Sequence, residues 1–181
     1  TGEVKIVSPE TREILPIGKT GEIMYRSPQV AKGYWNKPEE TKETFQTDGW
    51  LRTGDAGYIN EEGFVFFVER IKDLIIASGY NISPFDVESA IMKHPSVVEV
   101  AVIGVRDEYR GESVKAYVVL KEEFRGKVKP EDILAFCKEN MATYKCPRAV
   151  EFIETLPKSS IGKILRRELR RLEQEKKNSS L

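Results

Sequence analysis

Eight of the chain's 13 glycines fall within its first 70 residues, spaced between short runs of alternating apolar side chains. Glycine adopts positive φ without steric cost, so this spacing calls for tight turns between strands and leaves little room for long helices. "GEVKIV" and "GEIMYR" read as short strands. "AGYINEEGFVFFVER" reads as two apolar-aromatic strands joined across Asn60-Glu61-Glu62-Gly63, a turn with glycine where positive φ is wanted. One helix is expected in this β-rich stretch, in "KPEETKETF". Pro38 suits a first helical turn, and Glu39 and Glu40 lie where the helix dipole favours negative charge.

From residue 71 the texture changes. "DLIIAS" reads as a short buried strand, and "SPFDVESAIMKH" as a helix with Ser83 as N-cap, Pro84 at the first position and Asp86 at the third. That arrangement resembles a capping box. Phe85, Val87, Ile91 and Met92 are expected on its buried face. "VVEVAVIGV" and "SVKAYVVL" read as strands around the polar "RDEYRGE", "KPEDILAFCKENM" as a second amphipathic helix, and "AVEFIE" as another strand. Leu165, Leu169 and Leu172 repeat at helical spacing and mark a third helix. The expected order is β-α-β-β-α-β-α. The fold class is therefore α+β: a small β-rich subdomain over residues 1–70, then a compact domain over 71–181 with helices packed on a small sheet. The polar end, "EKKNSSL", is expected to fray.

Composition excludes several function classes. No apolar run approaches the ~18 residues of a membrane span. Neither Cys137 nor Cys146 has metal-ligand spacing, and His94 is the only histidine, so no metal site is expected. Two unpaired cysteines suit a reducing, cytoplasmic setting. Residues 1–70 carry nine basic and 12 acidic side chains and residues 71–181 carry 20 and 17, an asymmetry too small for a nucleic-acid binder. It does permit a local basic surface for a small polyanion.

The stretch "LPKSSIGKILRRELRR" places Gly162-Lys163 in a polar loop ahead of the last helix. It is not a Walker-type phosphate loop: Pro157 stands where the first glycine is needed, and Ile164 follows the lysine where a magnesium-binding hydroxyl is needed. Alone, the pair reads as a bend with a solvated lysine. Asp55, behind Thr53-Gly54, is either a turn residue or a carboxylate projecting from a tight bend, able to accept two hydrogen bonds from a ribose diol. Arg70, Lys72 and Asp73 precede a core strand, and a Ser78-Gly79-Tyr80 bend follows it. His94 reads as a helix-end residue, Glu88 as an anchor of its helix to a loop, and Arg166, Arg167, Arg170 and Arg171 as a solvated helix face.

In this order, the stretches resemble the C-terminal part of the adenylate-forming superfamily of acyl- and aryl-CoA synthetases, adenylation domains and firefly luciferase. "GYWNKPEET" is similar to the family's G-Y-x-x-x-P-E-x-T. "WLRTGDAGYINEEGFVFFVERIKDLIIASGY" is similar to its T-G-D and hinge motifs, and "PKSSIGK" to its closing P-K-x-x-x-G-K. The resemblance runs nearly end to end. "HPSVVEVAVIGVRDEYRGESVKAYVVL" and "YKCPR" look most like the fatty-acyl-CoA ligases of that superfamily.

The resemblance implies a two-step reaction. A small-molecule carboxylic acid attacks the α-phosphate of ATP to form an acyl-adenylate and pyrophosphate, and coenzyme A then displaces AMP after the C-terminal domain has rotated. It implies that Lys163 is catalytic, bridging carboxylate and α-phosphate, and that Asp55 and Arg70 also bind the nucleotide. Lys72 falls at the hinge. Ser78, Gly79 and Tyr80 match the loop that lines the pantetheine tunnel, and Arg110 and Arg148 meet the coenzyme A phosphates. Mg2+ is expected with ATP, but this segment supplies no ligand for it. Glu69 stands where glycine is usual, and Asn81 and Cys146 stand where some relatives carry Arg and Tyr.

The family's phosphate loop, adenine site and acyl pocket are not in this sequence. The chain is therefore expected to be the C-terminal piece of a longer ligase, inactive by itself. Alternatives are an enzyme that loads a carrier-protein thiol, or a stand-alone module that binds coenzyme A or a partner. Exposed strand edges in residues 1–70 make an edge-strand dimer possible.

Overall fold

The computed structural model describes residues 2–178, which form two compact units, Thr1–Lys72 and Asp73–Leu181. In the first unit, β1 (Glu3–Val7), β2 (Gly21–Arg26), β3 (Leu51–Ile59) and β4 (Val65–Arg70) make an antiparallel meander in sequence order. Helix α1 (Pro38–Thr44) lies between β2 and β3 in sequence, with Pro38 in its first turn. The β3–β4 turn closes as expected. Asn60 exchanges backbone hydrogen bonds across it and caps Phe64 N–H through its side chain at 2.8 Å, with Gly63 at φ +85°. The core here is small, built on Val7, Met24 and Trp50. Glu22 is 1% exposed, and Arg12 (2.6 Å) and Arg52 (3.1 Å) neutralise the charge that its burial would otherwise make costly.

In the second unit, β5 (Ile75–Ala77), β6 (Tyr80–Ile82), β7 (Val97–Asp107), β8 (Gly111–Leu120) and β9 (Ala149–Phe152) form one sheet. Its order is β6-β5-β8-β7, and β9 runs parallel to β8 on the side away from β7. Strand β6 is an addition to the expected order: three residues after the Ser78-Gly79 bend pair back onto β5. The helices are α2 (Pro84–Ile91), α3 (Pro130–Asn140) and α4 (Arg166–Asn178).

Both faces of this sheet are covered. Val100 and Val102 on β7 and Val114, Ala116 and Val118 on β8 join Val87 and Ile91 of α2 and Ile133 and Cys137 of α3 in one core. Ala101, Ile103, Tyr117 and Val119 point the other way and pack with Leu156 and Leu169. Two-sided burial explains why β7 is continuously apolar from Val100 to Val105, where a half-exposed strand would alternate.

Two expectations about α2 are corrected. Ser83 occupies the N-cap, but its side chain caps nothing, and Asp86 pairs with Lys145 at 2.6 Å. A full opposite charge outcompetes a backbone N–H for that carboxylate. The buried stripe is Pro84, Val87 and Ile91, whereas Phe85 and Met92 are 63% and 46% exposed. They lie about 100° around the helix from that stripe. The third helix begins one residue after Leu165 and continues to Asn178, so "EKKN" is helical. The rest of the tail expected to fray, residues 179–181, lies outside the described residues.

Candidate functional site

In the first unit, Asp55 and Arg70 are cross-strand partners of β3 and β4. Thr53 and Gly54 set the carboxylate up. Gly54 takes φ +70°, Asp55 N–H donates to Thr53 Oγ1 at 3.1 Å, and the β3–β4 register shifts just beyond, between Ala56 and Gly57. Arg70 Nε lies 3.1 Å from Asp55 Oδ1, and the two side chains are 56% and 30% exposed. Oδ1 is buried and receives no aligned hydrogen bond, so the contact is an ion pair with acceptor capacity to spare. Glu69, standing where glycine is usual in the family it resembles, is buried and accepts the Arg70 backbone N–H at 2.9 Å. Lys72 is exposed in the 3-10 turn Ile71–Asp73, where the chain passes from one unit to the next.

In the second unit, the β5–β6 connection is a two-residue turn with Ser78 at φ +51° and Gly79 at φ +81°. Two left-handed residues in succession match the twist of a tight hairpin, and Gly79 takes its share without strain. Ser78 N–H donates to Arg110 C=O at 2.9 Å, tying this turn to the tip of the β7–β8 hairpin. That tip is ordered by Asp107, whose Oδ1 accepts the N–H groups of Tyr109 and Arg110 at 3.0 Å each. The Arg110 backbone bond is the largest cause holding the Asp107 carboxyl below its ordinary range.

These elements open onto a cleft of about 730 Å³. Ser78, Tyr80, Arg110 and Arg148 all line it, so four of the five residues assigned to coenzyme A converge; Gly79 forms the adjoining turn. The fold adds two residues that the sequence did not single out. Tyr144 stacks on Tyr80 with ring centroids 4.5 Å apart, and Lys138 reaches in from α3. Lys138 belongs to no motif noted in the sequence, whereas Tyr144 heads "YKCPR", a stretch that marked the resemblance without assigning the tyrosine to a cleft. None of the lining residues is acidic, and of the three cations in the wall Arg110 is paired with Asp107, just behind it, at 3.7 Å. Cys146 also lines the cleft, and burial pushes its thiol up, away from the reactive thiolate form.

Lys163 lies outside this cleft, on a loop closed on itself. Ser159 N–H donates to Lys163 C=O at 2.8 Å, Lys163 N–H donates to Ser159 Oγ at 3.1 Å, and Gly162 takes φ +77°. These bonds pin the loop backbone. The Lys163 ammonium is exposed and makes no ion pair among the described residues. An unpartnered cation on a pinned backbone is available to an incoming anion.

Three surrounding expectations change. His94 does not simply end α2: its Nδ1 lies 2.7 Å from Ser96 Oγ, and its ring packs edge-on against Phe136. Glu88 anchors more than a loop. It accepts Val102 N–H of β7 at 2.8 Å and binds Arg166 through both carboxylate oxygens at 2.8 Å each. Arg170 pairs with Asp73 at 3.0 Å. Of the four arginines read as a solvated face, Arg166 and Arg170 are therefore tethers, and only Arg167 and Arg171 are well exposed. No helix among the described residues is long and apolar enough to cross a membrane.

The sequence profile of the AMP-binding enzyme C-terminal domain matches residues 86–163. The long-chain-fatty-acid–CoA ligase of Bacillus subtilis (strain 168) is 51% identical over 176 residues, which are 97% of this chain and 30% of that protein. The enzyme of the same name from Escherichia coli O157:H7 is 45% identical over 93% of this chain and 29% of its own length. The chain thus spans about 30% of the length of the curated relatives it matches. Among solved structures, ATP-bound MatB from Rhodopseudomonas palustris superposes with a TM-score of 0.82 at 39% identity, covering 94% of this chain and 34% of that one. The o-succinylbenzoate CoA synthetase MenE from Bacillus subtilis, in complex with its acyl-adenylate, gives 0.79 at 37% identity over 93% and 34%. The profile match, the shared fold and the ordered motifs agree that residues 86–163 of this chain belong to the AMP-binding enzyme C-terminal domain family.

Proposed function

We propose that the chain is the C-terminal part of an ATP-dependent fatty-acyl-CoA ligase, an acid–thiol ligase that forms an acyl-adenylate and then a thioester. The observation that carries this is the cleft of the second unit. It combines a stacked tyrosine pair, a tight turn and three cations, Arg110, Lys138 and Arg148, with no carboxylate among its lining residues. That chemistry suits a ligand that is part aromatic base and part polyanion, as coenzyme A is. The acyl specificity is carried over from the long-chain-fatty-acid–CoA ligases that the chain resembles.

In this reading Asp55 accepts hydrogen bonds from the ribose hydroxyls, and Arg70 orients Asp55 while its remaining guanidinium N–H groups face the nucleotide. Lys163 brings its ammonium to the carboxylate and α-phosphate as charge shifts between them, an electrostatic contribution that grows in the transition state. Rotation about Lys72 then exchanges the Lys163 face for the cleft, where Ser78, Gly79 and Tyr80 pass the pantetheine arm and Arg110 and Arg148 hold the phosphates.

The test is a full-length enzyme assayed with fatty acids of graded length. Carboxylate-dependent ATP–pyrophosphate exchange, followed by AMP release that requires free coenzyme A, is the expected result. Exchange without coenzyme A-dependent release, but with loading of a carrier-protein thiol, would favour the other acceptor. The 181-residue chain alone is expected to catalyse neither step.

A further inference from the structure

Helix α4 starts three residues after Lys163, so whatever holds α4 sets where the Lys163 loop stands. Leu169 is completely buried in the second core of the unit and seats the helix there. Two arginines one turn apart then fasten it. Arg166 is bound by Glu88, which is itself bonded to β7. Arg170 donates to Asp73 at 3.0 Å, with side-chain exposures of only 32% and 16%. Asp73 is the first residue of the second unit and follows directly on Lys72. Two residues further on, Ile75 is fully buried in the other core. The pair therefore joins segments 97 residues apart in sequence: the point where the chain enters the unit and the helix that carries the lysine loop.

We infer that Asp73 and Arg170 form a clamp that makes the residue after Lys72 and the Lys163 loop parts of one rigid body. This rests on the proposed roles of Lys72 as pivot and Lys163 as the cation of adenylate formation. With the clamp closed, a rotation of the Lys72 backbone is delivered in full to Lys163. With it open, Asp73 and Leu74 absorb part of the rotation, and Lys163 arrives imprecisely placed. Misplacing a reacting group by an ångström costs up to about a hundredfold in rate, so a positioning pair remote from substrate is expected to act on kcat.

The experiment uses the full-length enzyme and measures adenylate formation well below its melting temperature. Arg170→Met is expected to lower kcat about 10- to 100-fold with KM for ATP and fatty acid within about threefold of wild type. The charge swap Asp73→Arg with Arg170→Asp is expected to restore kcat to within about tenfold of wild type. Ile91→Val, a core change in α2 that leaves both members of the pair in place, controls for lost stability and is expected to leave kcat unchanged. An unchanged kcat in Arg170→Met, or no recovery in the swap, overturns the clamp. A loss in Ile91→Val equal to that in Arg170→Met reduces the pair to a stabilising contact and also overturns it. If Arg170→Met does not fold, Arg170→Gln removes the charge at similar size and carries the same test. Lys72→Pro separates this inference from the reading beneath it. Should it leave both half-reactions intact, the pivot itself is wrong; should it impair thioester formation while Arg170→Met keeps full kcat, only the clamp fails.

Discussion

Asp55 and Arg70 stand opposite each other across β3 and β4, the guanidinium Nε 3.1 Å from a carboxylate oxygen that no aligned donor satisfies. An exposed pair of this kind adds at most about 1 kcal/mol to stability. In the proposed reading, its value lies in holding a carboxylate ready for other donors. Asp55→Asn keeps the shape and removes the charge, so losing charge-assisted hydrogen bonds to the ribose should raise KM for ATP about 10- to 100-fold. The melting temperature should stay within a few degrees. Steady-state kinetics on the full-length enzyme and a thermal melt of the same variant check the two halves of this statement, and an unchanged KM removes Asp55 from the nucleotide site.

Lys163 predicts a split between half-reactions. Lys163→Ala should reduce ATP–pyrophosphate exchange by about a hundredfold or more, the scale of removing one electrostatic stabiliser of a transition state. Thioester formation from a supplied acyl-adenylate should fall less than tenfold, and the fold should be untouched, because the side chain makes no ion pair among the described residues. Equal losses in both steps would make the residue structural.

The cleft predicts the opposite split. Tyr144→Ala removes one ring of the 4.5 Å stack, and Arg148→Ala removes one cation of the wall. Each should raise KM for coenzyme A about tenfold while exchange of ATP and pyrophosphate stays at the wild-type rate. Raised salt should weaken coenzyme A binding further, because the Arg148 charge is exposed. A defect in exchange would place these residues elsewhere in the cycle.

Beneath α4, Lys115 bridges Glu151 (2.8 Å) and Glu173 (2.5 Å), and Tyr117 donates its hydroxyl to Glu173. Burial opposes ionisation of both carboxyls, but the hydrogen bonds outweigh it: Lys115 and Tyr117 hold Glu173 below the ordinary range, and Lys115 and Lys176 do the same for Glu151. A depressed carboxyl contributes stability above its unfolded value, and that contribution is lost as pH falls through the folded value. The second unit should therefore lose stability below about pH 4.5, the unperturbed value, and go on losing it as the two carboxyls protonate. Burial would lower the Lys115 ammonium, but Glu151 and Glu173 keep it raised, while burial and Glu173 raise Tyr117. Their contribution is present below the unfolded values and is lost on the alkaline side, starting near pH 10. Urea midpoints across this range should show both losses, and Glu173→Gln should shrink them; an unaltered pH profile in that variant would show that the cluster is not the cause.

Local sequence carried a large part of this protein. Glycine spacing and strand alternation located the meander of residues 1–70, and the apolar-rich stretches of β7 and β8 around a polar turn located the central hairpin, because turn chemistry and side-chain period are properties of a few adjacent residues. Asp55, Arg70, Lys72, Ser78-Gly79-Tyr80 and Lys163 could be singled out as candidates for a similar reason, since each sits in a short motif whose order along the chain is itself informative. What the sequence could not determine was which distant groups meet. Tyr144 and Lys138 join the cleft only because the segment around residues 143–145 and α3 are folded against the β5–β6 turn. Arg166 and Arg170 looked like a solvated face because their acidic partners, Glu88 and Asp73, lie 78 and 97 residues away. A charge is indifferent to sequence distance and responds only to spatial separation and burial, so the tertiary structure alone decided whether an arginine on α4 faces water or holds the helix in place.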